Sequence, residues 1–149
     1  MSELSQEKIS RLVDESYIFK GLDDETRGIL KAAASPRVFE PGEVLIREDE
    51  EGLELFIIES GKVSVSMLGP TADIDLAELG PGAVVGEVAV LTETPRTSTV
   101  EAVERVVAVS FMAETIREIS AANPKVEQLL ERIVEGRARH TISMIPPPE

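Results

Sequence analysis

The spacing of apolar side chains along the chain changes period twice. Between Ser5 and Phe19, Ile9, Leu12, Val13 and Ser16 recur every three or four residues and share one face of a predicted helix. A second helix is predicted to open at Asp23-Asp24-Glu25 and run through Ala34. Acids there accept hydrogen bonds from the free amides of the first turn and favour the positive end of the helix dipole. From Pro36 to about Phe111 the pattern becomes one of short β-branched runs: Val38-Phe39, Val44-Leu45-Ile46, Leu55 to Ile58 and Val63-Ser64-Val65. Pro41-Gly42, Gly52, Ser60-Gly61 and Gly69-Pro70 separate them, as turn residues should. Further strands are predicted at Ile74 to Leu79, Thr97 to Ala102 and Arg105 to Phe111, the last carrying the nearly continuous apolar run Val106 to Val109.

After Met112 the helical period returns, first over Thr115 to Ala122. Beyond Asn123-Pro124, Val126, Leu129, Leu130, Ile133 and Val134 fall on one face, with Glu127, Glu131 and Arg132 outside. Such a stripe most often packs on its own domain; its functional alternative is a mobile lid or a dimer seam. Many short, evenly spaced strands between helices predict a mainly β fold, a double-stranded β-helix or jelly-roll sandwich flanked by N- and C-terminal helices. One domain is expected over residues 1–145, with helices in 5–34, the β-roll in 36–111 and helices in 112–145. Residues 146–149, which include Pro146-Pro147-Pro148, read as a proline-rich tail or linker.

Composition narrows what such a domain can do. With 149 residues, 42% of them hydrophobic, the chain suits one domain, and with only 3% aromatic residues and no Trp its core must be aliphatic. It has no Cys, hence no disulfide, thiolate metal site or Cys nucleophile. His140 is the only histidine, so a His-rich cupin-like metal centre cannot be assembled. The acidic run Glu48 to Glu51 lacks the alternating ligands of a calcium loop and reads as a solvated turn. A non-enzymatic protein without cofactor is expected. The polar N-terminus and the lack of an apolar run near the ~20 residues of a membrane span favour a cytoplasmic location with no membrane partner. A formal net charge of −13 argues against nucleic acid as a partner, and a small anionic ligand would need a local cation.

One segment of the β region is not strand-like: Val85-Gly86-Glu87-Val88-Ala89-Val90-Leu91, followed by Thr92-Glu93-Thr94-Pro95-Arg96-Thr97-Ser98-Thr99-Val100. Gly86 permits a tight turn, and a short helical turn starting there presents free amides to an anion. Arg96 adds a planar, permanently charged fork for phosphate oxygens, and Glu87 an acceptor for a neighbouring hydroxyl. Phosphate and sugar hydroxyl together describe a nucleotide. For either residue alone, a structural ion pair would be the better explanation.

The ordered set of features resembles the cyclic-nucleotide-binding domain family, which includes the regulatory subunit of protein kinase A, the sensor domain of catabolite activator protein and cyclic-nucleotide-gated channels. The resemblance covers roughly residues 17 to 135. Pro41-Gly42-Glu43-Val44-Leu45-Ile46 is similar to the family's early strand, Leu55 to Val65 to its next hairpin, and Gly86 to Leu91 with Thr94 to Ser98 to its phosphate-binding cassette. It implies that Glu87 holds the ribose 2′-hydroxyl, Arg96 neutralises the cyclic phosphate, and the backbone from Gly86 to Ala89, flanked by Val85, completes the cradle. Thr97 and Ser98 would lie beside phosphate and base, with Thr97 able to bond a syn guanine. Arg137, Thr141, Ile142 and Met144 are placed by sequence order to form a lid. Two residues depart from the family pattern: Val85 stands where an aromatic is common, and Glu93 where a smaller residue is.

The function this implies is a regulatory sensor of cAMP or cGMP that signals through movement of its C-terminal helices to an attached or separate effector domain. A homodimer is compatible with the apolar stripe. The alternative is a nucleotide-free domain of the same fold serving as a protein interaction module.

Overall fold

The computed structural model describes residues 4–16, 19–47, 53–68, 70–86, 98–122, 124, 127–128 and 131–132. Two helices come first, α1 (Gln6–Glu15) and α2 (Asp24–Ala33). Eight strands follow: β1 (Ser35–Phe39), β2 (Val44–Ile46), β3 (Glu54–Ser60), β4 (Val63–Leu68), β5 (Asp73–Leu79), β6 (Val84–Val85), β7 (Thr99–Ala102) and β8 (Val106–Met112). A helix, α3 (Ala113–Ala122), then leads out of β8.

Both N-terminal helices begin where a short polar side chain can replace a missing backbone acceptor. The Ser5 hydroxyl accepts from the Lys8 N–H at 3.2 Å, and Asp23 Oδ1 accepts from the Thr26 N–H at 2.7 Å. Hydrogen bonding from the Thr26 side chain, then from its backbone amide, holds the Asp23 carboxyl below its ordinary pKa, with the charge of Arg27 adding to the effect. Helix α1 stops at Glu15, short of the Phe19 expected from periodicity, because Ser16 leaves helical geometry at ψ 132°. The apolar spacing continues because a turn, with the Phe19 N–H bonded to the Ser16 carbonyl at 3.0 Å, returns Phe19 to the core. There Phe19 is 1% exposed and meets Phe111 edge-on at 5.2 Å.

The strands form two four-stranded sheets, ordered β1-β8-β3-β6 and β2-β7-β4-β5, with every pairing antiparallel. In the first sheet Leu55 pairs with Phe111 and Ile57 with Val109, and these four turn outward to pack with Ile9, Val13, Phe19, Leu30 and Ile116. Phe56, Ile58, Val106 and Ala108 turn the other way and meet Val63, Val100, Ala102 and Ile46 of the second sheet. The first sheet is therefore covered on both faces, the helices on one side and the second sheet on the other. That coverage accounts for the unbroken apolar runs of β3 and β8, since neither face of these strands needs polar side chains. The second sheet has one wet face, and its strands alternate: Glu101 is exposed between buried Val100 and Ala102. The result is a jelly-roll sandwich with flanking helices.

Several boundaries differ from the sequence reading by one to three residues. Strand β1 starts at Ser35 and contains Pro36, which an edge strand paired only with β8 accommodates because one row of its amides needs no partner. Val85, read from the sequence as part of a segment that is not strand-like, belongs to strand β6, which is two residues long and too short to show a period. Helix α3 begins at Ala113, two residues before Thr115. Glu127, Glu131 and Arg132 are helical and exposed as expected, whereas the apolar stripe Val126, Leu129, Leu130, Ile133 and Val134 lies outside the described residues. So do the turn Glu48 to Glu51, His140 and residues 146–149.

Candidate functional site

Strand β6 delivers the chain to the candidate site. Val84 and Val85 pair with Ile57 and Phe56, so Val84 packs into the helix-side core and Val85, 4% exposed, into the core between the sheets. Val85 is thus part of the core between the sheets. Gly86 follows with φ +91°, a conformation that strains any residue with a β-carbon. The requirement for Gly at this turn is therefore physical. The chain rejoins the β structure at Ser98, half-buried, and Thr99 then pairs with Ser66 in the second sheet. Gly86 thus follows a strand of the first sheet, and Ser98 precedes a strand of the second.

Of the residues assigned to the site from sequence, Val85, Gly86 and Ser98 are placed by these strands. Glu87, Val88, Ala89, Arg96 and Thr97, and the lid residues Arg137, Thr141, Ile142 and Met144, lie outside the described residues.

The described residues carry a feature that the sequence reading missed. Phe39 and Phe56 meet edge-to-face between the sheets, with ring centroids 5.7 Å apart. The Arg37 guanidinium lies 5.2 Å from the Phe39 ring centroid and 5.7 Å from that of Phe56. Its Nη1 donates to Glu54 Oε2 at 2.6 Å. Arg37 alternates with Phe39 on β1, and Glu54 with Phe56 on β3, so both point to the inner face. Strand β8 runs between them and contributes Ala108 and Ser110 to that face, side chains small enough to leave room for the long guanidinium. Alternation alone could have put each residue on the Phe face of its strand. It could not have shown that strands 17 residues apart at these positions share a sheet with β8 between them.

Among the described residues no group of three or more His, Cys, Asp or Glu side chains is arranged to hold a metal ion. No helix among them is long and apolar enough to cross a membrane.

Comparison with known proteins agrees with this geometry. The family model described as "Cyclic nucleotide-binding domain" matches residues 36–123, from β1 to just beyond α3. The chain is 31% identical over 134 residues to a "CRP-like cAMP-activated global transcriptional regulator" of Mycobacterium tuberculosis, covering 89% of this chain and 60% of that protein. It is 35% identical over 107 residues to "Acetyltransferase Pat" of Mycolicibacterium smegmatis, covering 72% of this chain and 32% of that protein. The regulatory domain of Toxoplasma gondii protein kinase A, solved with cAMP, superposes with a TM-score of 0.77 at 26% identity, covering 92% of this chain and 53% of that one. The chain therefore spans about three-fifths or less of the length of these relatives. With a family match across more than half of its length and the same jelly-roll architecture, the chain belongs to the cyclic nucleotide-binding domain family.

Proposed function

We propose that this domain is a regulatory sensor that binds cAMP or cGMP through the segment that links β6 of the first sheet to β7 of the second. The observation that carries this reading is the family match across residues 36–123, a span that includes Gly86, Glu87 and Arg96. In this reading the amides from Gly86 to Ala89 and the guanidinium of Arg96 hold the cyclic phosphate. Glu87 accepts from the ribose 2′-hydroxyl, Val85 and Val88 supply apolar surface, and Thr97 and Ser98 flank phosphate and base. The positive φ of Gly86 supports the tight turn that such a cradle needs.

The domain acts by population shift: a ligand with greater affinity for one arrangement of the C-terminal helices favours that arrangement. Arg137, Thr141, Ile142 and Met144 close over the base in the favoured state. The output passes to an effector domain, attached or separate. Among its relatives, one carries a transcriptional-regulator name and another an acetyltransferase name over lengths this chain does not cover, which supports effectors of more than one kind.

Isothermal titration of the purified protein with cAMP and cGMP tests the reading directly. A charge-assisted hydrogen bond contributes about 1.5–3 kcal/mol, so Arg96→Ala should weaken binding about tenfold or more while leaving the fold intact. Absence of heat with either nucleotide at millimolar concentration would instead support a nucleotide-free interaction module.

A further inference from the structure

We propose that the cleft between α1 and the β5–β6 turn is a binding site for a small zwitterion, an α-amino acid with a short aliphatic side chain. This inference does not rest on nucleotide binding. The cleft has a volume of about 330 Å³, at the small end of the range of small-molecule sites. Its walls are fixed from behind. Lys8, Arg11, Leu12 and Glu15 line it from one face of α1, and that helix is anchored by Ile9 and Val13, 4% and 0% exposed in the helix-side core. Pro81 and Gly82 line it as well and are tied to β3: the Gly82 N–H donates to the Ile58 carbonyl at 2.8 Å, and the Ile58 N–H to the Ala83 carbonyl at 2.9 Å. The cleft is therefore formed before a ligand arrives.

The charges in the cleft set the class of ligand. Lys8, Arg11 and Lys20 line it together with Glu15 and Glu59. Among the described residues neither of these lysines and neither of these glutamates forms an ion pair. Arg11 reaches Glu7 at 3.8 Å, with both side chains well exposed. On the side of α1 turned toward α2 the pattern differs, since Asp14 meets Lys31 at 2.9 Å and Arg27 at 3.7 Å. A charge on α1 with a protein partner in reach takes it, whereas the cleft keeps both signs available to a ligand. A purely anionic ligand would face Glu15 and Glu59, and a purely cationic one would face three cations. A molecule carrying both charges uses the whole set, its carboxylate toward the Lys and Arg side chains and its ammonium toward the two carboxylates. Leu12, half-buried, and Pro81, exposed, offer carbon surface to a short aliphatic side chain.

The test is an NMR titration that follows the backbone amides as L-leucine, N-acetyl-L-leucine or L-leucinamide is added at low ionic strength, where exposed charges are least screened. N-acetyl-L-leucine keeps the carboxylate and lacks the ammonium; L-leucinamide keeps the ammonium and lacks the carboxylate. We expect L-leucine to give saturable shifts at the amides of Leu12, Ser16, Glu59 and Gly82, and each blocked analogue to bind at least about threefold more weakly. Two double variants, Lys8→Met with Lys20→Met and Glu15→Gln with Glu59→Gln, should lose affinity for L-leucine by a similar factor while melting as wild type does. If a double variant fails to fold, the two analogues decide. No saturable shift with L-leucine at tens of millimolar, equal binding of all three compounds, or unchanged affinity in both folded variants overturns the proposal. Titration with cAMP is a separate measurement and bears on the nucleotide proposal alone.

Discussion

Phe56 on β3 stands opposite Val85 on β6, and the very next residue, Gly86, turns away at φ +91°. The sheet therefore holds the start of the candidate site in a conformation that favours glycine. Gly42, in the β1–β2 turn, has nearly the same φ, +90°, and a β-carbon added there would meet nothing within 4 Å. A β-carbon at such an angle costs about 1–2 kcal/mol, so Gly86→Ala and Gly42→Ala should each lower stability by that order in denaturant titration. Only Gly86→Ala should also weaken cAMP binding. Equal loss of affinity in both variants would mean that Gly86 matters for the fold alone.

The proposed role of Glu87 is tested without mutation. A 2′-deoxy analogue of cAMP leaves the carboxylate without its donor, at a cost of about 1–3 kcal/mol. We expect calorimetry to show the parent nucleotide binding at least several-fold tighter. Equal affinity would remove Glu87 from the site.

Closure of the C-terminal segment is checked by amide hydrogen exchange. Gly136 lowers helix propensity by about 1 kcal/mol relative to Ala and gives the segment a natural bending point. Nucleotide should slow exchange in residues 136 to 145 together with residues 85 to 98. Protection confined to 85 to 98 would leave a pocket without a lid.

Acid sensitivity of α2 follows from its cap. The Asp23 carboxyl has a folded-state pKa below its ordinary value of 3.8, because Thr26 donates to the ionised form. A carboxylate whose pKa is depressed by folding stabilises the native state fully above its unfolded pKa, and that contribution fades as pH falls through the folded value. Asp23→Ala should therefore melt below wild type at neutral pH, and the gap should narrow as pH drops beneath 3.8. Asp23→Asn keeps an acceptor but cannot titrate, so the melting temperature of wild type should fall more steeply than that of Asp23→Asn over the same acid range.

Local chemistry was enough to read several parts of this protein from its sequence. Ser5 and Asp23 mark the helix starts because capping depends on residues three positions apart. The strands are legible because turn residues separate runs of β-branched side chains, and Gly86 because few other residues tolerate its backbone angle. The roles proposed for Glu87 and Arg96 likewise rest on residue type and on a short, ordered segment. Tertiary structure decided what depends on neighbours distant in sequence. The apolar run of β8 reflects cover on both faces by elements far along the chain, which no window of residues reveals. Phe19 keeps a helical spacing although the helix has ended, since a turn and a helix can deliver the same side chain to one core. Arg37 and Glu54 meet only because β8 inserts between β1 and β3, and strand order is set by how the whole set of apolar faces can be buried at once.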